Sequence, residues 1–307
     1  MSAHAGNAGG NTGGPAELLR RRVADDPSSP LVTFYDDASG ERVELSARTF
    51  DNWVAKTANF LVDGLAAEPG TRAVLVLPPH WQTAVWLMAC WSAGIVAEPV
   101  DPGTVRERAA AAPAGPRAEP GAEPRAEPRA EPAGPDEPYI LAAAQEVLAD
   151  VLADEVLAGG AEEIVGLSLH ALGGPLTECP PGVTDYSAEV RSYADRFVAD
   201  AEVTPETPAI SVTKATLSGA ELVAAGRAAA GKWELDARDR LLVDRSFATL
   251  DGVLTGLVAP LISGASVIIQ RNFDKATLDR RLTMEHVTMV AGVPGWNDES
   301  GDPHRLT

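Results

Sequence analysis

Apolar runs and helix-like apolar stripes alternate along most of the chain. Residues 72–77 and 95–100 are short apolar runs typical of buried strands. Residues 81–93, which lie between these runs, are apolar on most sides and therefore predict a buried helix. A strand, a helix and a second strand in this order predict a crossover unit of a parallel sheet.

The alternation continues on both sides of this unit. Residues 31–35 and 42–45 flank an Asp-Asp-Ala-Ser-Gly turn and predict a hairpin, and Ser46 is the expected N-cap of the next helix. Eight or so strands alternating with helices predict an α/β fold with a doubly wound, mostly parallel sheet. The later strands are predicted at 139–143, 163–169, 208–213, 240–243, 265–270 and 287–291, and the later helices at 145–157, 187–197, 218–230, 250–261 and 276–286.

The composition changes abruptly at residue 103. Between residues 103 and 137 the triplet Ala-Glu-Pro recurs with a proline at every fourth position, which is incompatible with a helix interior or a central strand. We therefore predict an extended, solvated linker rather than a docking motif. The predicted organisation is a disordered tail at 1–14, one α/β domain made of 15–102 and 138–295, the linker 103–137 within it, and a polar tail at 296–307.

The charge balance restricts the possible partners. The chain has 44 acidic and 25 basic residues, a formal net charge of −19 and a pI near 4.6. Phosphate backbones and anionic membranes repel such a surface, so neither nucleic acid nor membrane is an expected partner. A protein partner stays open, and solubility is the simplest interpretation of the charge.

The cysteines and the N-terminus indicate a cytoplasmic protein. Cys90 and Cys179 belong to no Cys-x-x-Cys pair, and two cysteines are too few for a disulfide framework. Residues 1–15 have neither the basic nor the apolar region of a signal peptide. The most apolar later stretch, 255–269, is interrupted by Pro260 and is too short to span a bilayer.

Residue patterns for catalysis or metal binding are not found in the sequence. The histidines form no metal-binding spacing, and no Gly-x-Ser-x-Gly motif occurs. We therefore predict no catalytic residue, no metal site and no cofactor, and structural roles for the histidines. These are His4, His80, His170, His286 and His304.

Three stretches in succession resemble the adenylate-forming (AMP-binding) superfamily, which includes acyl-CoA synthetases, luciferases and peptide-synthetase adenylation domains. They are the helix at 50–61, the segment 72–102 with its Ala-Gly-Ile-Val-Ala-Glu-Pro-Val-Asp-Pro ending, and residues 236–294 with their Gly-Val-Pro ending. Their order and spacing are similar to the N-terminal half of the superfamily. The resemblance implies the corresponding α/β subdomain and a shortened, N-terminal-half relative.

The resemblance also locates a departure from the family. The phosphate-binding loop of the superfamily is rich in Ser, Thr and Gly and ends in Pro-Lys-Gly, so that backbone N–H groups surround ATP phosphates. Here the strand ending Ser211-Val212-Thr213 runs into Lys214 and a segment with one glycine before Ser218. We interpret 213–218 as an ordinary strand-to-helix turn capped by Ser218, with an anion contact from Thr213 and Lys214 as the alternative.

A second departure concerns the acyl or amino-acid pocket. Thr249 falls where the resemblance implies an aromatic residue or histidine, and the superfamily's Gly-Thr-Glu motif, ribose-binding aspartate, hinge and catalytic lysine would all follow Pro294. The predicted function is therefore a non-catalytic, AMP-binding-enzyme-like protein with a scaffold, regulatory or small-molecule-binding role. The alternative is a half-enzyme that adenylates an acyl or aminoacyl substrate with a partner chain, and only this alternative requires ATP and Mg²⁺. The candidate ligand-binding residues are Ser211, Thr213, Lys214, Thr249, Gly292 and Pro294.

Overall fold

The computed structural model describes residues 13–111, 138–170, 173–213, 215–296 and 301–306. The strands are β1 Pro30–Asp36, β2 Glu41–Ser46, β3 Arg72–Val76, β4 Val96–Val100, β5 Tyr139–Ala144, β6 Ala161–Leu167, β7 Val183–Asp185, β8 Pro208–Val212, β9 Ala215–Ser218, β10 Arg240–Val243, β11 Ser266–Arg271, β12 Met289–Ala291 and β13 His304–Arg305. The α-helices are α1 Pro15–Asp25, α2 Ala47–Asn59, α3 Trp81–Ala93, α4 Pro102–Ala111, α5 Leu148–Ala153, α6 Glu155–Gly159, α7 Tyr186–Glu189, α8 Gly219–Lys232, α9 Leu250–Val253, α10 Ala259–Ser263 and α11 Lys275–Met284.

The strands form two mostly parallel sheets. One sheet has six strands in the order β13-β12-β10-β11-β1-β2, and the other has seven in the order β7-β6-β5-β3-β4-β8-β9. Among the described strands, the antiparallel pairs are β1–β2, β12–β13 and β8–β9. The predicted α/β, mostly parallel architecture is confirmed, but the strands divide between two sheets where the sequence predicts one.

Helix α3 packs between the two sheets. It contacts β1 of the six-stranded sheet and β4 and β8 of the seven-stranded sheet. All thirteen of its residues are buried, which confirms the prediction from its all-round apolar surface. His80 caps its first turn by accepting a hydrogen bond from Gln82 N–H at 3.1 Å, and Gly94, at φ 74°, ends it in the left-handed region.

Helix α8 and the helical segment 250–263 also lie between the sheets. Helix α8 contacts β8 and β9, while the π-helical turn Leu254–Val258 and α10 contact β11. The two helices approach closely at Gly226, where a Cβ atom would lie 2.5 Å from Cγ1 of Val258. A glycine is therefore required for this packing.

Several predicted boundaries are wrong. The linker predicted from 103 begins with helix α4, because Val105 is buried and the α4 residue Arg106 pairs with Glu146 at 3.0 Å. The tail predicted from 296 contains strand β13, which pairs with β12. The helix predicted at 145–157 is divided by Asp154, whose side chain caps α6, and the helical segment predicted at 187–197 ends at Ser192. The predictions for residues 1–12 and 112–137 concern parts of the chain outside the described residues.

Candidate functional site

The segment around residues 211–218, where the sequence departs from the pattern of the superfamily's phosphate loop, forms a β-hairpin. Strands β8 and β9 pair Ser211 with Thr216 and Val212 with Ala215, so that two residues separate the strands. Ser211 is half-buried within β8, and Thr213 is exposed at φ 51°. Lys214 lies outside the described residues. The predicted direct turn from strand to helix is therefore wrong, because strand β9 intervenes.

The predicted cap of the following helix is confirmed. The Ser218 hydroxyl accepts a hydrogen bond from Glu221 N–H at 3.2 Å, and the Glu221 carboxylate accepts one from Ser218 N–H at 2.8 Å. This reciprocal arrangement is a capping box. The hydrogen bond from Ser218 N–H lowers the pKa of Glu221, so a carboxylate lies at the start of α8.

The remaining N–H groups in the first turn of α8 are also occupied. Gly219 N–H donates to the Thr207 carbonyl at 3.0 Å, and Ala220 N–H donates to the Pro205 carbonyl at 2.6 Å. A helix N-terminus binds an anion through free N–H groups and the positive end of the helix dipole. In α8 these donors bind protein oxygens, and Glu221 already supplies the negative charge.

Thr249 begins helix α9 after strand β10. Its hydroxyl accepts from Gly252 N–H at 3.1 Å and donates to the Ser246 carbonyl at 3.1 Å. The side chain is exposed, but both hydrogen-bonding roles of the hydroxyl serve the local turn. The structure therefore gives Thr249 the role of an N-cap.

Gly292 follows β12 and packs on the loop that follows β10. A Cβ atom on Gly292 would lie 2.2 Å from the Asp244 carbonyl oxygen, and Gly292 has φ 76°. Asp244 N–H also donates to the Ala291 carbonyl at 2.9 Å. Pro294 lies in the exposed turn that follows. The candidates thus form two groups: Ser211 and Thr213 on the seven-stranded sheet, and Thr249, Gly292 and Pro294 at the carboxyl end of the six-stranded sheet.

A charged cluster that the sequence analysis missed joins the carboxyl ends of the two sheets. Arg271, at the end of β11, forms an ion pair with Glu146, which follows β5 in the other sheet. The same guanidinium lies 4.0 Å from Asp36 at the end of β1. No local sequence pattern indicated this ion pair, because Arg271 and Glu146 are 125 residues apart in the sequence.

Buried and titratable groups surround this cluster. Burial raises the pKa of Glu41, and the nearby Asp36 raises it further. Burial also holds the pKa of His80 well below its usual range, with a smaller effect of Arg271. The Nε2 atom of His80 is buried without a partner among the described residues. Groups with perturbed pKa values concentrate at functional sites, so this edge is the candidate ligand site.

An acidic pair lies beside the cluster, at the ends of β1 and β10. Burial raises the pKa of Asp37, but hydrogen bonds from Arg281 and from Asp274 N–H outweigh it and lower the net value. Burial raises the pKa of Asp244, and the proximity of Asp37 adds to this rise. Within the described ranges, no group of three or more His, Cys, Asp or Glu side chains is arranged to hold a metal ion. The helices in these same ranges include none that is long and apolar enough to cross a membrane.

Comparisons with known proteins agree with this architecture. The family model "AMP-binding enzyme" matches residues 19–113. A Mycobacterium tuberculosis (strain ATCC 25618 / H37Rv) protein described as "TIGR03089 family protein" is 36% identical over 273 residues, which cover 89% of this chain and 96% of that protein. The chain belongs to the TIGR03089 family.

Solved structures show the fold of this TIGR03089 chain in larger proteins. A putative long-chain-fatty-acid CoA ligase from Rhodopseudomonas palustris matches with a TM-score of 0.69 at 16% identity, over 92% of this chain and 63% of the ligase. An acetoacetyl-CoA synthetase from Streptomyces lividans matches with a TM-score of 0.66 at 18% identity, over 91% of this chain and 42% of the synthetase. Together with the family-model match over residues 19–113, these structures confirm the predicted resemblance in fold to the N-terminal part of the adenylate-forming enzymes. The TIGR03089 chain spans less than two thirds of these solved chains.

Proposed function

We propose that the chain is a non-catalytic relative of the AMP-binding enzymes that binds a small molecule in a scaffold or regulatory role. The observation that supports this proposal is the first turn of α8. Its N–H groups bind Thr207, Pro205 and Ser218, and the Glu221 carboxylate lies beside them. The arrangement offers a triphosphate no free backbone donors at this helix.

The electrostatics of the chain also support a role without ATP chemistry. A triphosphate requires a nest of N–H donors and cations that offset its charge. The formal charge of −19 makes the approach of a polyanion unfavourable unless a local cationic group compensates. The two residues that separate β8 from β9 are too few to surround three phosphates, which supports a role without ATP chemistry.

Titration calorimetry with Mg-ATP, followed by pyrophosphate exchange with a panel of fatty, aryl and amino acids, tests the proposal. We expect no micromolar ATP binding and no exchange. Micromolar binding, or exchange that Lys214→Ala abolishes and Lys275→Ala preserves, would overturn the non-catalytic function. Lys275 is a suitable control because it is an exposed lysine on α11, in a different part of the chain.

The binding role needs its own test. The carboxyl ends of the two sheets carry the cluster around Arg271, and ligands of doubly wound folds bind at this end of the strands. Thermal-shift screening of acyl and aromatic compounds can identify a ligand. We expect this ligand to raise the melting temperature of Glu41→Gln less than that of the unmodified protein. The exposed Glu206→Gln is the matched control. Equal stabilisation of both variants would place the ligand elsewhere.

The alternative is a half-enzyme completed by a partner chain. The observation that favours it is the match to CoA ligases and synthetases of which this chain spans 42–63%. Co-purification from the native host followed by pyrophosphate exchange on the complex distinguishes the two functions. Exchange by the complex supports the half-enzyme, and its absence from every stable complex supports the non-catalytic role.

A further inference from the structure

Two adjoining cavities form a groove at the amino ends of the strands of the seven-stranded sheet. Their volumes are about 290 Å³ and about 560 Å³, and both are lined by Ala16, Arg20, Ser92 and Ala199. The groove extends from α1 to the C-terminal end of α3 and the start of β8. We call it the α1 groove. It lies at the end of the strands opposite to the β8–β9 turn.

The walls of the α1 groove combine apolar and charged side chains. Leu19 of α1 and Val54 of α2 face Phe197 and Val198 of the irregular segment that precedes β8. Val198 is 89% exposed, which is unusual for a valine of a packed domain. The wider cavity, at about 560 Å³, lies within the range of sites for small organic ligands, about 300–1,000 Å³.

Trp91 lines the narrower cavity of the α1 groove, and Asp51 lines the wider one. Trp91 is 4% exposed, and its Nε1–H finds no acceptor among the residues that the structure describes. Asp51 is half-buried, and burial raises its pKa against the smaller opposing effects of Arg48 and Arg20. A half-buried carboxylate is costly to keep charged unless a cation lies beside it, so a cationic ligand next to Asp51 would gain affinity.

The charges of the α1 groove favour a cation. Asp51 and Asp195 line the wider cavity, together with Arg196 and Arg20. Arg20 is already paired with Glu17, to which it donates at 3.0 and 2.9 Å. With Glu17 of the narrower cavity included, three carboxylates and two guanidiniums line the groove, in a protein with a formal charge of −19.

We propose that the α1 groove binds an amphiphilic amine. The ammonium group pairs with Asp51, and the apolar body lies against Phe197 and Val198 and extends into the narrower cavity, where Trp91 lines the wall. The site is independent of the proposed function at the carboxyl ends of the strands, so each can fail without the other.

Three probes of equal chain length, n-octylamine, n-octanoate and n-octanol, test the charge preference by titration calorimetry on the full chain. We expect octylamine to bind at least tenfold more tightly than octanoate, and Asp51→Asn to weaken octylamine by roughly tenfold or more, because a charge-assisted contact is lost. Asp63→Asn is the matched control, since Asp63 is exposed in the π-helical turn that continues α2. Octanoate affinity equal to that of octylamine, or an unchanged affinity of Asp51→Asn, would overturn the proposal.

Indole N–H resonances of the unmodified protein locate the ligand. Trp91→Phe serves only to assign the resonance of Trp91. We expect octylamine to shift the Trp91 resonance and to leave that of Trp296, on the other sheet, in place. Saturating octylamine that leaves the Trp91 resonance unmoved would show that the amine does not occupy the α1 groove.

Discussion

Arg305 donates to both carboxylate oxygens of Asp239, at 2.8 and 3.2 Å, and so joins strand β13 to the start of β10. Asp239 is 5% exposed, and it also accepts hydrogen bonds from Thr288 Oγ1 and from Asp236 N–H. The C-terminal residues 301–306 are thereby held on the edge of the six-stranded sheet. This contact explains why a segment that reads as a polar tail is an ordered strand.

Replacing Asp239 is therefore expected to destabilise the fold. Asp239→Ala removes the acceptor of the Asp236 N–H and of the Thr288 hydroxyl and breaks the ion pair with Arg305, at a cost of about 1–3 kcal/mol. Asp236→Ala is the control, because its partner Arg238 has a side chain that is 90% exposed, and such pairs contribute about 0–1 kcal/mol. Urea denaturation measures both; equal losses in the two variants would show that Asp239 has no special role.

Substitutions at Gly292 and Gly295 distinguish the cost of steric overlap from the cost of backbone strain. Both have positive φ, 76° and 86°, but only at Gly292 would a Cβ atom meet a backbone atom, the Asp244 carbonyl at 2.2 Å. We expect Gly295→Ala to cost about 1–2 kcal/mol from the left-handed conformation alone. Gly292→Ala should cost clearly more and shift the loop after β10. Equal melting temperatures of the two variants would contradict the packing of Gly292 on Asp244.

The carboxylate of Glu285 makes stability depend on pH. Burial raises its pKa, but Arg42, Tyr35 and Arg240 outweigh burial and lower it from 4.5 to about 2. Since the folded-state pKa is depressed, the stabilisation is present above the ordinary value and is lost as the pH falls from about 4.5 towards about 2. The stability difference between the native protein and Glu285→Gln should therefore be largest near neutral pH and shrink through this window. The exposed Glu206→Gln should show no such change, and a constant difference for Glu285→Gln would contradict the prediction.

Helix α4 divides the predicted linker into two parts that should respond differently to replacement. A Gly/Ser segment in place of 112–137 should change the melting temperature by less than about 4 °C, because a polar, proline-rich composition buries little apolar surface. Replacement of 103–137 also removes the buried Val105 and the Arg106–Glu146 pair, and should lower the melting temperature further. Differential scanning calorimetry of both variants checks this; identical melting temperatures would mean that α4 contributes nothing.

Local patterns predicted those parts of the fold that depend on local physics. The all-round apolar surface of 81–93, the cap at Ser218 and the parallel strand runs are properties of neighbouring residues, and the structure contains each of them. The division into two sheets was not predictable in this way, because it depends on which distant strands pair. Strand β1, for example, pairs with β11, more than two hundred residues later in the sequence.

Prediction of the candidate site from the sequence was limited in the same way, because it depends on contacts between distant residues. The sequence indicated that the segment after β8 lacks a glycine-rich loop, but not that a second strand follows or that Thr207 and Pro205 accept hydrogen bonds from the start of α8. Thr249 stood out by its position relative to a family pattern, whereas its hydroxyl serves as an N-cap. Arg271 and Glu146 carried no local signal, since a single arginine and a single glutamate are common in an acidic chain.

The two parts of the chain on either side of residues 112–137 are interleaved. Strands β1 and β2 from the first part extend the sheet built on β11, while β3 and β4 from the same part lie between β5 and β8 of the second. A protease cut within 112–137 is therefore expected to yield a nicked protein whose fragments co-elute until denaturant is added. The same interleaving makes this segment a place to divide the chain into a complementing pair, in which neither fragment completes a sheet alone.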